Sequence, residues 1–192
     1  MSYKTYTTEA LVCGTFARNT ADGSFLLFTK EAGMLYASAK SVREERSRQR
    51  YALQDFSLIR VSLVKGKSGW RVGSIESNKN YYHLAPDKIT RGGVVSLFRL
   101  LRRFLKGEEP APELFDYVIG SLEKIVTNAE KSQFLQLASS VVVLAELGYV
   151  DKKQIPDGMH NLSPEKLDGL YSNQLNKKLE NLYSQAVTAS HL

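Results

Sequence analysis

Over the first 80 residues, short apolar runs alternate with clusters of turn-forming residues. Ala10–Phe16 is apolar and stops before Asn19-Thr20-Ala21-Asp22-Gly23, a turn cluster. Ser24–Thr29 is a second run, rich in aromatic rings, and Glu31-Ala32-Gly33 closes a tight hairpin into Met34–Ala39. In Phe56–Lys65, Ile59, Val61 and Leu63 share one face while Leu58, Arg60 and Ser62 share the other, the two-residue period of a strand. Lys65-Gly66-Lys67-Ser68-Gly69 is a further hairpin turn, with glycine where a positive φ is cheap, and Trp70–Ser77 is the last strand. Five short antiparallel strands at this spacing suit a small closed barrel, because closure removes the unpaired edges of an open sheet.

Beyond about residue 88 the period changes. Val94, Leu97, Phe98, Leu101, Phe104 and Leu105 recur at helical spacing, with Gly107 ending that helix. Pro110-Ala111-Pro112 is a rigid connector, and Pro112 suits the first position of the next helix, marked by Phe115, Val118, Leu122, Ile125 and Ala129. Phe134–Leu147 is apolar nearly all round, which places it centrally in a bundle, with Gly148 as its C-terminal cap. Ser163-Pro164 reads as an N-cap and first helical residue ahead of a last helix through Leu175, Leu179, Leu182 and Ala186. The fold class is α+β and multidomain: a barrel over 1–80 and a C-terminal α-helical bundle over 81–192.

Charge divides the chain in the same way. The net charge of +6 over 192 residues conceals 19 basic and 8 acidic side chains in residues 1–106, against 7 and 12 in residues 107–192. The first half is suited to a polyanion. The lone cysteine, Cys13, excludes an internal disulfide or a cysteine-based zinc site, and points to a reducing cytoplasmic compartment. The opening MSYKTYTTEA has no apolar signal core. The longest purely apolar run, Val141–Ala145, is far short of a transmembrane span. The sequon Asn161-Leu162-Ser163 is a chance match in that setting.

The cations cluster. Lys40–Arg50 carries five basic and two acidic side chains between two strands. Lys40, Arg43, Arg46, Arg48 and Arg50 are candidate phosphate contacts on a flexible loop, the arginine fork being suited to bidentate contact. Lys65, Lys67 and Arg71 surround the second hairpin beside Trp70. Trp70 either stacks on bases or plugs the core; Tyr36 and Tyr51 read as packed rather than exposed. Arg99, Arg102, Arg103 and Lys106 fall at i, i+3, i+4 and i+7, a basic helical stripe able to hold an acidic-hydrophobic peptide or simply to face solvent.

Catalytic chemistry is not indicated. Gly66-Lys67-Ser68 matches only the tail of a phosphate-binding loop: the glycine required five residues earlier is Val61, and no helix follows. His83, His160 and His191 share no metal-ligand spacing with each other or with Cys13, and no nucleophile elbow or paired-carboxylate constellation occurs. The expectation is a non-enzyme without cofactor.

Several segments resemble the RecO family of recombination mediators. Ala10-Leu11-Val12, the run Leu26-Leu27-Phe28-Thr29-Lys30-Glu31-Ala32-Gly33-Met34-Leu35, Ala39-Lys40 with its basic loop, and Leu53-Gln54-Asp55-Phe56-Ser57-Leu58 are similar to the family's N-terminal domain. Pro112-Glu113-Leu114-Phe115 and Leu144-Ala145-Glu146-Leu147-Gly148-Tyr149 are similar to its helical domain. The resemblance covers residues 5–150. It implies that residues 1–80 are an OB-fold binding single- and double-stranded DNA and promoting annealing. It also implies that the helical domain docks the acidic tail of single-strand-binding protein, and that RecR and RecA are partners in recombinational repair at the bacterial nucleoid.

Two departures qualify it. Many members carry a four-cysteine zinc site where this chain reads Asp151-Lys152-Lys153-Gln154, and the chain is short at its C-terminus. Ser41, Glu44 and Glu45 stand in the basic stretch, which weakens the expected DNA affinity. The leading expectation is a DNA-binding mediator that screens phosphate repulsion between strands. The alternative is a non-catalytic adaptor docking a protein on the Arg99–Lys106 stripe; a small hydrolase or transferase is a third possibility.

Overall fold

A computed structural model describes residues 5–17, 20–47, 49–156, 159 and 164–190. Five strands, β1 (Thr5–Ala17), β2 (Gly23–Thr29), β3 (Gly33–Ala39), β4 (Ser57–Gly66) and β5 (Gly69–Asn80), close into a barrel in the order β1-β2-β3-β5-β4. The fold is the OB-like barrel followed by a helical region. β1 serves both sides of the barrel: Thr5–Leu11 pair with β4, and Ala10–Ala17 pair with β2. Its register with β2 slips between Val12 and Gly14, so Cys13 is the extra residue of a bulge that lets the strand bend from one side to the other. Closure is completed by a short parallel contact of β3 with β5, Ala37 opposite Trp70 and Ser38 opposite Arg71.

The barrel interior follows the two-residue period. Leu35, Ala37 and Ala39 of β3 and Ile59, Val61 and Leu63 of β4 point inward and meet Val12, Phe25, Leu27 and Trp70. A short helix, α1 (Gln49–Ala52), lies in the β3–β4 connection. No apolar period announces it, and the sequence reads there only as a loop.

Downstream come α2 (Tyr81–Leu84), α3 (Lys88–Phe104), α4 (Pro112–Thr127), α5 (Ser132–Glu146) and α6 (Asn173–Ala189). Asp87 caps α3 by accepting from the Thr90 N–H at 2.8 Å. That N–H bond holds the Asp87 carboxyl below its ordinary range. α3 ends at Phe104, not at Gly107 as its spacing suggested: Leu105 is already extended, and Gly107 lies beyond with a φ of 91°. α5 packs against α3 and α6, which explains its nearly continuous apolar surface. It closes as expected at Gly148, whose φ is 81°. There the Tyr149 N–H reaches Leu144 O at 2.8 Å and the Gly148 N–H reaches Ala145 O at 3.0 Å, satisfying carbonyls the helix end would leave open. The residue capping α6 is Ser172, whose hydroxyl accepts from the Leu175 N–H. Pro164–Gly169 form a separate 3₁₀ segment, and Ser163, with the rest of the sequon, lies outside the described residues. Asp151 caps a short 3₁₀ turn over Lys152–Gln154.

The chain divides into two compact units, Met1–Tyr82 with Lys106–Pro112, and His83–Leu105 with Glu113–Leu192. The first is therefore built from two separate stretches of sequence. Among the described residues no helix is long and apolar enough to cross a membrane.

Candidate nucleic-acid interface

The ladder pairs build one row across the outside of the barrel. Phe16 stands opposite Ser24, Ser24 opposite Ser38, and Ser38 opposite Arg71. The row thus runs across β1, β2, β3 and β5 from an aromatic ring, over two small hydroxyl side chains, to an exposed guanidinium. Beside it, Tyr36 is 59% exposed, with its ring centroid 6.0 Å from that of Phe16. The alternation that buries Leu35 and Ala37 turns Tyr36 and Ser38 outward.

Two depressions follow the row. One, of about 430 Å³, is lined by Lys40 and Arg71 with Asp22, Ser38, Gln49 and Ser68. The other, of about 400 Å³, is lined by Ser24, Tyr36, Ser38, Ser68, Trp70 and Glu108. They share Ser38 and Ser68 and so adjoin, with Lys40 and Arg71 on one and Tyr36 on the other. Lys40 of the basic loop and Arg71 of the second hairpin line the same depression.

The basic loop is anchored rather than loose. Val42 is 3% exposed within the barrel core. The Arg43 N–H donates to Ala21 O at 2.9 Å, the Ser41 N–H donates to Asp22 Oδ1 at 2.9 Å, and Gln49 Nε2 donates to Gly73 O at 2.9 Å. Ser41 takes a φ of 50° to make the turn. Exposed Arg46 sits within this framework, Arg43 and Arg50 line a separate depression with Thr15 and Leu53, and Arg48 lies outside the described residues.

Several sequence expectations are corrected here. Trp70 is buried, 7% exposed, with its ring edge-on to Tyr6 at 5.5 Å, so it belongs to the core and not to a stacking surface. Tyr36 and Tyr51 are exposed, not packed, Tyr51 at 69%. Lys65 is not offered to solvent alone: its Nζ lies 2.9 Å from Glu108 Oε2 and 4.9 Å from the Trp70 ring centre. Lys65, and next to it the Trp70 indole, hold the Glu108 carboxyl below its ordinary range. Lys67 is exposed at the hairpin tip.

In the helical unit, Arg99 and Arg102 are exposed on α3. Arg103 instead turns to α6, donating to Val187 O at 3.2 Å and Ser190 Oγ at 3.0 Å, near the orphan carbonyls of that helix end. Lys106 falls past the end of α3 and within the barrel unit, so the four-residue stripe does not form. Of the three histidines, His83 is exposed, and His160 and His191 lie outside the described residues.

The molecule is an OB-like barrel with an outward aromatic pair and a basic depression, followed by a helical region. Residues 88–150 match the family model described as "Recombination protein O C terminal". The chain is similar to the DNA repair protein RecO of Desulfitobacterium hafniense, 29% identical over 144 residues, which cover 75% of this chain and 52% of that protein. It is likewise similar to DNA repair protein RecO of Caldanaerobacter subterraneus, 27% identical over 146 residues covering 74% and 58%, and of Myxococcus xanthus, 26% over 148 residues covering 77% and 60%. The match to the Desulfitobacterium hafniense relative spans about half of that protein's length. The chain is thus similar to the RecO family, through the family model over residues 88–150 and through relatives aligned along about three quarters of its length.

Proposed function

We propose that the protein is a non-catalytic DNA-binding mediator of bacterial recombinational repair. It would act at the nucleoid by holding single strands on the barrel and screening their phosphates so that complementary strands can pair. The observation that carries this reading is the pair of adjoining depressions that set Lys40 and Arg71 on one side of Ser38 and Ser68, and Tyr36, with the Phe16 ring beside it, on the other. Cations that neutralise phosphates and rings that accept any base are the two requirements of sequence-independent single-strand binding. The likeness to proteins named for DNA repair supports the same reading. In it, RecR and RecA are partners of the protein, and the helical region docks the acidic tail of single-strand-binding protein, with Arg99 and Arg102, exposed on α3, as candidate contacts.

The test is a salt titration of oligothymidylate binding, followed by annealing of complementary strands coated with single-strand-binding protein. Tight binding at low salt that weakens steeply as salt rises, with accelerated annealing, supports the reading. No binding at low salt overturns it. Charge reversal at Arg46, Arg48 and Arg50 separates it from an adaptor role: unchanged DNA affinity with intact partner binding favours the adaptor.

A further inference from the structure

The depression that Tyr36 lines also holds a carboxylate. Glu108 lines it with Tyr36 and Trp70, and it also lines a neighbouring depression of about 490 Å³ with Tyr6, Thr7, Leu63, Lys65 and Trp70. Only Trp70 and Glu108 are common to the two. The carboxylate belongs to the segment Lys106–Pro112, which is laid against the barrel edge: the Met34 N–H donates to Gly107 O at 2.9 Å, and Gly33, with a φ of 63°, lies directly beneath Glu109. Its single described charged partner is Lys65, at 2.9 Å.

We propose that Glu108 occupies a phosphate subsite on Lys65 in the free protein, and that a bound strand displaces it and continues past Trp70 toward Tyr6. The inference rests on the nucleic-acid reading of the barrel. An ammonium held by a carboxylate exchanges that partner for a phosphodiester oxygen without losing its charge pairing. A half-exposed ion pair of this kind is weak enough to exchange. With Glu108 withdrawn, the two depressions join. The extended track gains one cation, Lys65, and one exposed ring, Tyr6, which is 39% exposed. It ends at Glu31, whose carboxylate receives the Thr8 hydroxyl and presents a second negative charge. Glu108 is thus an internal competitor for the strand.

Trp70 is the only tryptophan and sits under Lys65, so its fluorescence reports the exchange. The experiment compares oligothymidylate binding by the full chain, E108Q, K65A, E108Q/K65A and R71A, with thermal melting to confirm that each is folded. E108Q is expected to bind about threefold more tightly, roughly the share of one phosphate contact in the affinity of a basic groove. K65A is expected to flatten the salt dependence by about 0.7 in the log–log slope and to abolish the E108Q gain. Trp70 emission is expected to shift when the wild type binds. Should wild type fail to bind at low salt, both the nucleic-acid reading and the displacement fall. Should wild type bind and R71A weaken it while E108Q gives an equal change with or without Lys65, or while Trp70 emission stays constant, the displacement falls and the reading stands.

Discussion

Phe16 and Tyr36 lie with ring centroids 6.0 Å apart on the outside of the barrel, although they come from different strands with β2 between them. Both are more than a third exposed. Two neighbouring outward rings on a barrel face offer a platform on which bases can stack. Substituting Tyr36 or Phe16 by alanine is expected to weaken single-strand binding by about 1–3 kcal/mol for each base that loses its platform. The salt slope of binding should not change, because no phosphate contact is removed. Fluorescence anisotropy at several salt concentrations checks both statements; an altered slope with unaltered affinity at low salt would contradict them.

Lys40 and Arg71 act in the opposite way. They line one depression, Lys40 from the residue after β3 and Arg71 from near the start of β5, and each offers it a charge. R71A and K40A are each expected to reduce the magnitude of the log–log salt slope by about 0.7, with affinity lost evenly across oligonucleotide sequences. Arg71→Lys should restore the slope while recovering only part of the affinity, because an ammonium cannot make the bidentate contact.

Trp70 separates stability from binding. It fills the barrel core and abuts Tyr6, so Trp70→Ala is expected to cost about 3–5 kcal/mol of folding stability. Tyr36→Ala, on the exposed face, should stay within about 0.5 kcal/mol of wild type. Urea unfolding of the two variants checks the contrast, and a Tyr36 variant as unstable as the Trp70 variant would place the ring in the core.

Alkaline pH tests the helical unit. Tyr117 on α4 is 2% exposed, and burial pushes its phenol well above the ordinary value of 10.0. The Ser139 and Ser121 hydroxyls oppose this in part, and the charge of Glu146 adds to it. The folded state thus favours the neutral phenol more than the unfolded chain does. Its contribution to stability is complete below about pH 10 and is lost as pH rises from there toward the folded value. Tyr117→Phe should therefore show a smaller decline in melting temperature between pH 9 and pH 11 than wild type. Parallel declines in the two proteins would show that the phenol does not ionise on unfolding.

The strands were legible because their signal is local. Ile59, Val61 and Leu63 alternate with Leu58, Arg60 and Ser62, and the structure runs β4 through them. The same alternation in Met34–Ala39 points Tyr36 outward, so its exposure was available from Leu35, Ala37 and Ala39 alone. Trp70 was ambiguous because its place depends on a parallel contact with Ala37, a residue far away in sequence. The end of α3 was misplaced for a related reason. Gly107 looks like a helix stop, yet the chain leaves the helix earlier so that the Gly107 carbonyl can receive the Met34 N–H. The burial of Val42 was hidden because one apolar residue among charges carries no period. Glu108 went unnoticed since its meaning depends on Lys65, 43 residues earlier.

Because Lys106–Pro112 belongs to the barrel unit but follows α3, the barrel is completed out of sequence order during synthesis. When Tyr82 leaves the ribosome, Met34 lacks its carbonyl and Lys65 its carboxylate. The nascent barrel holds an open seam until seventeen residues of α3 and the return segment have emerged. A cut after Tyr82 would keep that seam open for good, so the natural boundary of the barrel is not a single point on the chain.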